Sequence, residues 1–152
     1  MSPARHTPAL RPGGLGGAPG AVARLLAAAG LAVDAWVHAR LAEQYDAVSA
    51  WVSQGTLFRL ESALACLAAV LVLFWRRRLG DALAWLVAAG GLALLLVYRF
   101  VDVGSLGPVP DMYEPIWNSD KTLTVAAQGV TVLATTYLLL RPRRHRTGRT
   151  LA

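Results

Sequence analysis

The sequence predicts an all-α polytopic membrane protein built as a four-transmembrane-helix bundle. Hydrophobic residues make up 55% of its 152 residues, more than ordinary soluble domains contain. Four apolar segments also reach the length of about 20 residues that a helix needs to cross a hydrocarbon core of roughly 30 Å. These predicted spans cover approximately residues 21–41, 56–75, 82–101 and 122–140. Together they form one transmembrane domain over residues 21–140.

The first predicted span has a second interpretation. Its apolar core, LLAAAGLAV, follows basic residues and precedes a small-residue site at Ala35, which also suits a signal peptide cleaved after that residue. The helical spacing of apolar residues continues past this site through Trp36, Val37 and Leu41. That continuation favours a retained span.

The basic residues predict the orientation of the bundle. Arg and Lys near the ends of spans are retained on the cytoplasmic side. Eleven arginines fall on one side of a four-span arrangement: Arg5, Arg11, Arg24, Arg76, Arg77, Arg78, Arg141, Arg143, Arg144, Arg146 and Arg149. We therefore expect a multi-pass protein of the cell (plasma) membrane, with both termini in the cytoplasm and the acidic loops 42–55 and 102–120 outside.

The two tails differ in composition. Residues 1–20 are rich in Gly, Pro and Ala and predict a disordered cytoplasmic tail, whereas residues 141–152 form a basic cytoplasmic tail expected to touch anionic lipid headgroups. The arginines lie beside apolar segments and not in a stripe interleaved with aromatic residues, which argues against a nucleic-acid partner. The abundance of Ala, Gly, Leu, Val and Arg indicates a bacterial protein from a GC-rich genome.

Polar side chains are concentrated in the outer halves of the predicted spans. Ionisable groups inside a span are costly and are therefore turned inward and paired. Asp34 and His38, four residues apart, share a helical face, and Asp34 is expected to be paired or protonated. Arg59 and Glu61 point to nearly opposite faces, so Arg59 is expected to snorkel and Glu61 to find a cation on a neighbouring helix. The predicted polar pocket consists of Asp34, His38, Arg59, Glu61, Arg99, Asp102, Lys121 and Gln128.

Arg99 is the cation that this predicted pocket most needs. Its spacing allows a local pair with Asp102, or an inward pair with Asp34 or Glu61, and the sequence leaves these alternatives open. Breaking a buried pair by removing one partner costs about 3 to 5 kcal/mol. The sequence therefore predicts strong destabilisation when Arg99 is removed.

The last span carries a polar stripe at helical spacing, formed by Lys121, Thr124, Gln128, Thr131 and Thr135. Hydrogen bonding and close packing between helices are favoured over a ligand-lining role for this stripe. The inner halves of the spans offer almost only Ala, Gly, Leu and Val, which disfavours an ion pathway.

The segment 102–120 predicts a structured loop cap over the extracytoplasmic end. Its glycines and prolines bend or restrict the backbone, and its aromatic residues suit the membrane interface. The segment 40–52 continues the helical spacing of the first span and predicts an extension or an interfacial helix. The cap residues with functional side chains are Asp111, Tyr113, Glu114 and Trp117.

The sequence has too few cysteines and histidines for several kinds of redox and metal chemistry. Cys66 is the single cysteine, which excludes a disulfide or a C-x-x-C relay within the chain. His38 is the only histidine within a span, which excludes a bis-histidine haem within one protomer. No metal site and no cofactor are predicted.

The order of VDAWVH, GTLFRLE, YRFVDVGSLGPVPDMYEPIW and DKTL before a last span resembles that of uncharacterised integral membrane proteins of actinobacteria. The resemblance covers about residues 24–130 and implies the compartment and the four-span plan, without an activity. The span count alone gives a looser similarity to DoxX-like four-helix membrane proteins.

Three functional hypotheses remain at this point. The favoured one is an accessory or assembly protein whose polar end docks an envelope or respiratory protein partner. The alternative is a binder or transporter of a small polar or amphipathic ligand, such as a lipid headgroup or quinone, in an outward-facing pocket. The third is a membrane enzyme that uses Asp34, His38 and Glu61 as acid–base groups.

Overall fold

Four long helices and their connections make up the protein in the computed structural model, which describes residues 17–142. Helices α1 to α4 cover Ala18–Leu41, Gln54–Val70, Arg78–Phe100 and Ser119–Leu140. A 3₁₀ turn over Ala42–Tyr45 extends α1, and a π-helical turn over Leu71–Trp75 extends α2. Each of the four helical segments is long and apolar enough to cross a membrane. The prediction of an all-helical protein with four candidate spans is confirmed for the described residues.

Each helix begins a few residues before its predicted span. Side-chain caps explain this for two of them. The Ser53 Oγ accepts a hydrogen bond of 3.0 Å from the backbone N–H of Thr56 before α2, and the Asn118 Oδ1 accepts one of 2.9 Å from that of Lys121 before α4. Such caps satisfy N–H groups that have no partner within the helix.

The structure describes only the last residues of the predicted N-terminal tail and the first residues of the predicted C-terminal tail. Helix α1 begins at Ala18, so the last residues assigned to the N-terminal tail are helical. The remainder of that prediction, residues 1–16, and residues 143–152 of the C-terminal tail lie outside the described part of the chain.

The helices pack as a ring in which α1 contacts α2 and α4, and α3 contacts α4 closely and α2 less extensively. Small residues dominate the core, including Ala27, Ala65, Ala68, Ala84 and Ala88, each fully buried. Small side chains allow helix backbones to approach closely, which is how helices associate in a membrane. The looser contact between α2 and α3 leaves the space in which the candidate site lies.

Hydrogen bonds connect neighbouring helices across this core. The Ser62 Oγ of α2 donates to the Ala35 carbonyl of α1 at 2.9 Å, and the Trp85 Nε1 of α3 donates to the Thr136 Oγ1 of α4 at 3.0 Å. Helices α1 and α4 approach closely at Gly30, where a Cβ atom would overlap the backbone of α4. Polar groups inside the bundle therefore contribute to holding the ring together.

A buried ion pair lies at the tail end of the bundle, where α1 begins and α4 ends. The guanidinium of Arg24 donates to both carboxylate oxygens of Asp81, at 2.7 and 3.1 Å, and also to the Val72 carbonyl at 2.7 Å. The side chains of Arg24 and Asp81 are 6% and 2% exposed. The description of the inner halves as almost only Ala, Gly, Leu and Val did not include this contact, in which an ion pair joins α1 to α3 and Arg24 also binds the end of α2.

The opposite end, the loop end, carries the short loop 42–53 and the long loop 101–118. The two loops meet where the Val52 N–H donates to the Pro108 carbonyl at 3.1 Å, and the long loop returns to α3 where the Glu114 N–H donates to the Tyr98 carbonyl at 3.1 Å. Within the long loop, Gly107 has a φ of 59° in a turn closed by reciprocal backbone hydrogen bonds. Its path is therefore fixed by specific contacts.

Candidate functional site

A cavity of about 510 Å³ lies at the loop end, between α2 and α3 and beneath both loops. Its size and largely apolar walls fall within the range of small-molecule sites. Leu60 of α2 and Leu94 of α3 line the cavity and are also 56% and 58% exposed on the outside of the bundle. The cavity therefore opens sideways between these two helices. Its charged or imidazole-bearing side chains are His38, Glu61, Arg99, Glu114, Asp120 and Lys121.

The deepest polar group beside the cavity is the carboxylate of Asp34, which is 1% exposed. Its Oδ1 accepts a hydrogen bond of 2.9 Å from the Gln128 Nε2, and the His38 Nδ1 lies 3.2 Å from the same oxygen and 3.0 Å from the Asp34 carbonyl. The predicted pairing of Asp34 and the predicted hydrogen bonding of His38 are both present. Since Nδ1 is occupied by Asp34, Nε2 is the imidazole nitrogen free to meet a ligand.

Glu61 lies in the same deep region. Its Oε1 is buried, has no hydrogen-bond partner within residues 17–142, and would be 3.0 Å from a Cβ atom at Gly91. The Gln128 amide packs against the same glycine of α3. The expectation that Glu61 pairs with a cation from a neighbouring helix is wrong for the described residues. The other cations of the loop end bind other carboxylates, and Arg99 lies near aromatic rings.

Acceptor oxygens exceed donors at this deep end. In the described part of the chain, Asp34 Oδ2, Glu61 Oε1 and Gln128 Oε1 are buried and without hydrogen-bond partners. A buried acceptor without a donor is destabilising by about 1 to 3 kcal/mol. The deep end is therefore suited to a molecule that brings N–H or O–H groups.

Most cations at the loop end are paired. The Lys121 Nζ lies 3.3 Å from the Glu114 carboxylate and donates to the Glu114 and Ile116 carbonyls at 2.6 and 2.7 Å. Glu114 also accepts a hydrogen bond of 3.1 Å from the Tyr45 hydroxyl. These contacts tie the long loop to α1 and α4 and neutralise the rim of the cavity. Arg40 forms an ion pair with Asp120 in the same region.

Arg59 lies outside the cavity. It binds the Asp46 carboxylate through two hydrogen bonds, of 2.8 and 2.7 Å, and both side chains are about half exposed. The hydrogen bond from Arg59 holds the pKa of the Asp46 carboxyl below its usual value. The snorkelling prediction for Arg59 agrees with this outward contact, and Arg59 is removed from the predicted pocket.

Arg99 of α3 lines the cavity without a carboxylate partner. No carboxylate among the described residues lies at ion-pair distance from it, and its buried Nε has no acceptor. Its guanidinium instead lies over the rings of Phe100 and Trp117, at 5.1 and 6.0 Å from their centroids. The predicted ion pair of Arg99 is therefore wrong.

The three predicted partners of Arg99 have other roles. Asp34 is bound by His38 and Gln128, as described above. The Asp102 carboxylate turns back on its own loop and accepts a hydrogen bond of 3.1 Å from the Gly104 N–H. Glu61 remains in the cavity without forming an ion pair to Arg99, although both side chains line it. Sequence spacing could not distinguish these outcomes, because the turn at Asp102 depends on the path of the loop.

No protein-family model, curated protein or solved structure matches the chain.

The predicted cap residues divide into two pairs. Asp111 accepts a hydrogen bond of 2.9 Å from the Tyr113 N–H and so stabilises a turn in the long loop. Glu114 reaches the cavity and pairs with Lys121, whereas Trp117 lies beneath Arg99 and donates from its Nε1 to the Thr122 Oγ1 at 2.8 Å. Only the second pair contributes to the site.

The polar stripe of α4 has a mixed outcome. Thr124, Gln128, Thr131 and Thr135 are buried. The Thr131 Oγ1 donates to carbonyls of its own helix and of α1, at 2.9 and 3.4 Å, which agrees with the favoured packing interpretation. Gln128 instead binds Asp34, and Lys121 binds the long loop.

Sequence reasoning missed several participants. Gly91 looked like one small residue among many, yet its missing side chain makes room for Glu61 and Gln128. Arg24 was assigned only to topology, and Asp81 was not considered. The carboxylate of Asp81 at the start of the third span was a usable signal for the Arg24–Asp81 ion pair, since buried charges require partners.

Proposed function

We propose that this chain is a membrane-spanning protein that binds an amphipathic molecule in the cavity between α2 and α3. The observation that carries this proposal is that an apolar surface and a charged surface line the same cavity. Leucine walls reach the outside of the bundle, and Arg99 and Glu61 stand at the polar end with no ionic partner within residues 17–142. An amphiphile would cover the walls with its apolar part and meet the charges with its polar part.

Support for membrane placement comes from the surface of the bundle. Large apolar side chains are exposed along all four helices, for example Leu25, Phe74, Leu86 and Leu133 at 62%, 78%, 60% and 74%. Such a surface suits lipid and not water. We place the tail end in the cytoplasm because the arginine clusters flank it. The loop end, with the two connected loops as its cap, then lies outside the plasma membrane.

Helix α1 belongs to this proposal as a retained span. Asp34 and Ala35 are buried within the bundle, and α1 packs against both α2 and α4. Cleavage after Ala35 would remove the carboxylate that binds His38 and Gln128.

Binding is favoured over transport by the packing beyond the deep end. Below Asp34 the core consists of fully buried small side chains such as Ala27 and Ala65, and the Arg24–Asp81 pair closes the tail end. An accessory role, which the sequence favours, receives less support because most rim charges already pair within the chain.

Native mass spectrometry of the full chain, extracted gently from the membrane, tests the proposal. The wild-type protein should carry a bound amphiphile, and Leu95→Trp, which fills the cavity, should lose it. Leu86→Trp is the matched control, because this residue of the same helix is exposed and does not line the cavity. A wild-type protein that carries no amphiphile and is not stabilised by any added lipid would contradict the proposal.

A further inference from the structure

The charges that remain unpaired in the cavity have opposite signs. Glu114 and Asp120 line it but are engaged by Lys121 and Arg40. Once these pairs are set aside, together with His38, whose Nδ1 is held by Asp34, the cavity presents the guanidinium of Arg99 and the carboxylate of Glu61. A ligand that complements both groups carries an anion and a cation.

Arg99 is arranged to bind an anion through its edge. Aromatic rings of Phe100 and Trp117 lie near its guanidinium, and the N–H bonds of a guanidinium lie in its plane, directed away from its edge. A planar guanidinium with free N–H groups binds phosphate in a bidentate manner. Helical side chains lean toward the N-terminus of their helix, so Arg99, near the loop end of α3, leans into the cavity.

Glu61 is arranged to accept hydrogen bonds from a cation. Its buried Oε1 has no hydrogen-bond donor among the described residues, and the buried Asp34 carboxylate lies in the same deep region of the bundle. A primary ammonium group carries three N–H donors and so meets several oxygens at once. A quaternary ammonium group carries none.

The positions of the two groups fit one headgroup. Glu61 lies against Gly91, which precedes Arg99 by eight residues on α3, a rise of about 12 Å between their Cα atoms. A phosphate held at Arg99, a two-carbon linker and an ammonium held at Glu61 span a separation of this order. The exposed leucines at the side opening, Leu60 and Leu94, would lie along the acyl chains.

We propose that the ligand is a phospholipid with a primary amine, whose phosphate binds Arg99 and whose ammonium group binds Glu61. This inference rests on the proposed function, because it names the amphiphile that the cavity takes. A free phosphoethanolamine group has the same polar chemistry, but the leucine walls and the side opening favour the lipid.

Competition binding to the delipidated full chain in nanodiscs tests the inference. We expect phosphatidylethanolamine to bind about tenfold more tightly than phosphatidylcholine, which lacks N–H groups, or phosphatidylglycerol, which lacks the amine. Glu61→Gln should abolish the preference over phosphatidylglycerol while keeping binding to both. Arg99→Gln should weaken binding of all three lipids, since each has a phosphate.

The control variants are Glu43→Gln and Arg59→Gln, because both residues are exposed and do not line the cavity. They should bind like the wild type. Equal binding of the three lipids by the wild type, or an unchanged preference in a folded Glu61→Gln protein, would overturn the assignment of the amine while leaving the proposed function intact. Equal affinity for free phosphoethanolamine would overturn the assignment to a lipid. Failure of every lipid to bind would contradict the proposed function itself.

Discussion

Arg24 and Arg99 have the same side chain and opposite surroundings. Arg24 faces Asp81 and a helix-end carbonyl at the tail end, so its charge is neutralised inside the protein. Arg99 faces aromatic rings and open cavity at the loop end. One arginine is therefore neutralised within the protein, and the other lines the cavity with no carboxylate at ion-pair distance among the described residues. This difference between single residues is the basis of the proposed site.

At the residue scale, Arg24→Met should destabilise the protein by about 3 to 5 kcal/mol, because it leaves the Asp81 carboxylate buried without its partner. Thermal unfolding in detergent measures the loss. The double variant Arg24→Met/Asp81→Leu should recover most of it, since a buried ion pair can be replaced by apolar residues of similar volume.

The matched control for this pair is Arg59→Met, which breaks the exposed Arg59–Asp46 pair. Its unfolding temperature should stay close to that of the wild type, since exposed pairs contribute little. If Arg24→Met had the same unfolding temperature as Arg59→Met, the Arg24–Asp81 pair would not be needed for stability.

Among the helices, α1 and α4 share the most extensive contact. Gly30 faces the Ala127 carbonyl and the Thr131 hydroxyl of α4, and a Cβ atom at Gly30 would overlap both. Thr131 in turn hydrogen-bonds to α1 and to its own helix. The close packing of α1 against α4 therefore depends on two features: the polar stripe of α4, which hydrogen-bonds to α1, and Gly30 of α1, which has no side chain to hold the helices apart.

At the scale of this helix pair, Gly30→Ala should lower the unfolding temperature in detergent. The added methyl group meets backbone and forces the helices apart, and overpacking of this kind costs about 1 to 3 kcal/mol. Gly129→Ala on α4 is the control, because nothing lies within 4 Å of a Cβ atom there. It should stabilise by roughly 0.5 to 1 kcal/mol through helix propensity. Equal unfolding temperatures for the two variants would rule out close packing at Gly30.

The whole molecule is polarised along its long axis. Loops 42–53 and 101–118 and the cavity lie at the loop end, whereas the turn at Arg76 and Arg77 and the Arg24–Asp81 pair lie at the tail end. The proposed topology assigns these ends to opposite sides of a membrane. The cavity would then be reached from outside or from the outer leaflet.

At the scale of the whole protein, cysteine labelling in intact cells tests this topology. In a Cys66→Ala background, single cysteines placed in loop 102–118 should react with a membrane-impermeant thiol reagent, and cysteines at positions 76–80 should react only after the cells are opened. Labelling of the second group alone in intact cells would invert the proposed orientation. An epitope before residue 20 should remain on the mature protein if α1 is retained.

The number, type and approximate extent of the helices were predictable from sequence, because length and apolar composition are local properties of each segment. The pairing of Asp34 with His38 was predictable for the same reason, since residues four apart share a helical face. The helix starts were misplaced by a few residues because the caps at Ser53 and Asn118 depend on the conformation of the preceding loop.

The partners of the other charges were decided by tertiary structure alone. Arg24 meets Asp81 only because α1 packs beside the start of α3, and Asp46 draws Arg59 outward only because the short loop folds over α2. In the part of the chain that the structure describes, Arg99 and Glu61 have no ionic partners, because Gly91 and the loose contact between α2 and α3 leave a cavity there. Composition and spacing determined which charges lie near each end of the bundle. The rotation and separation of the helices, which no single segment encodes, determined which of them meet.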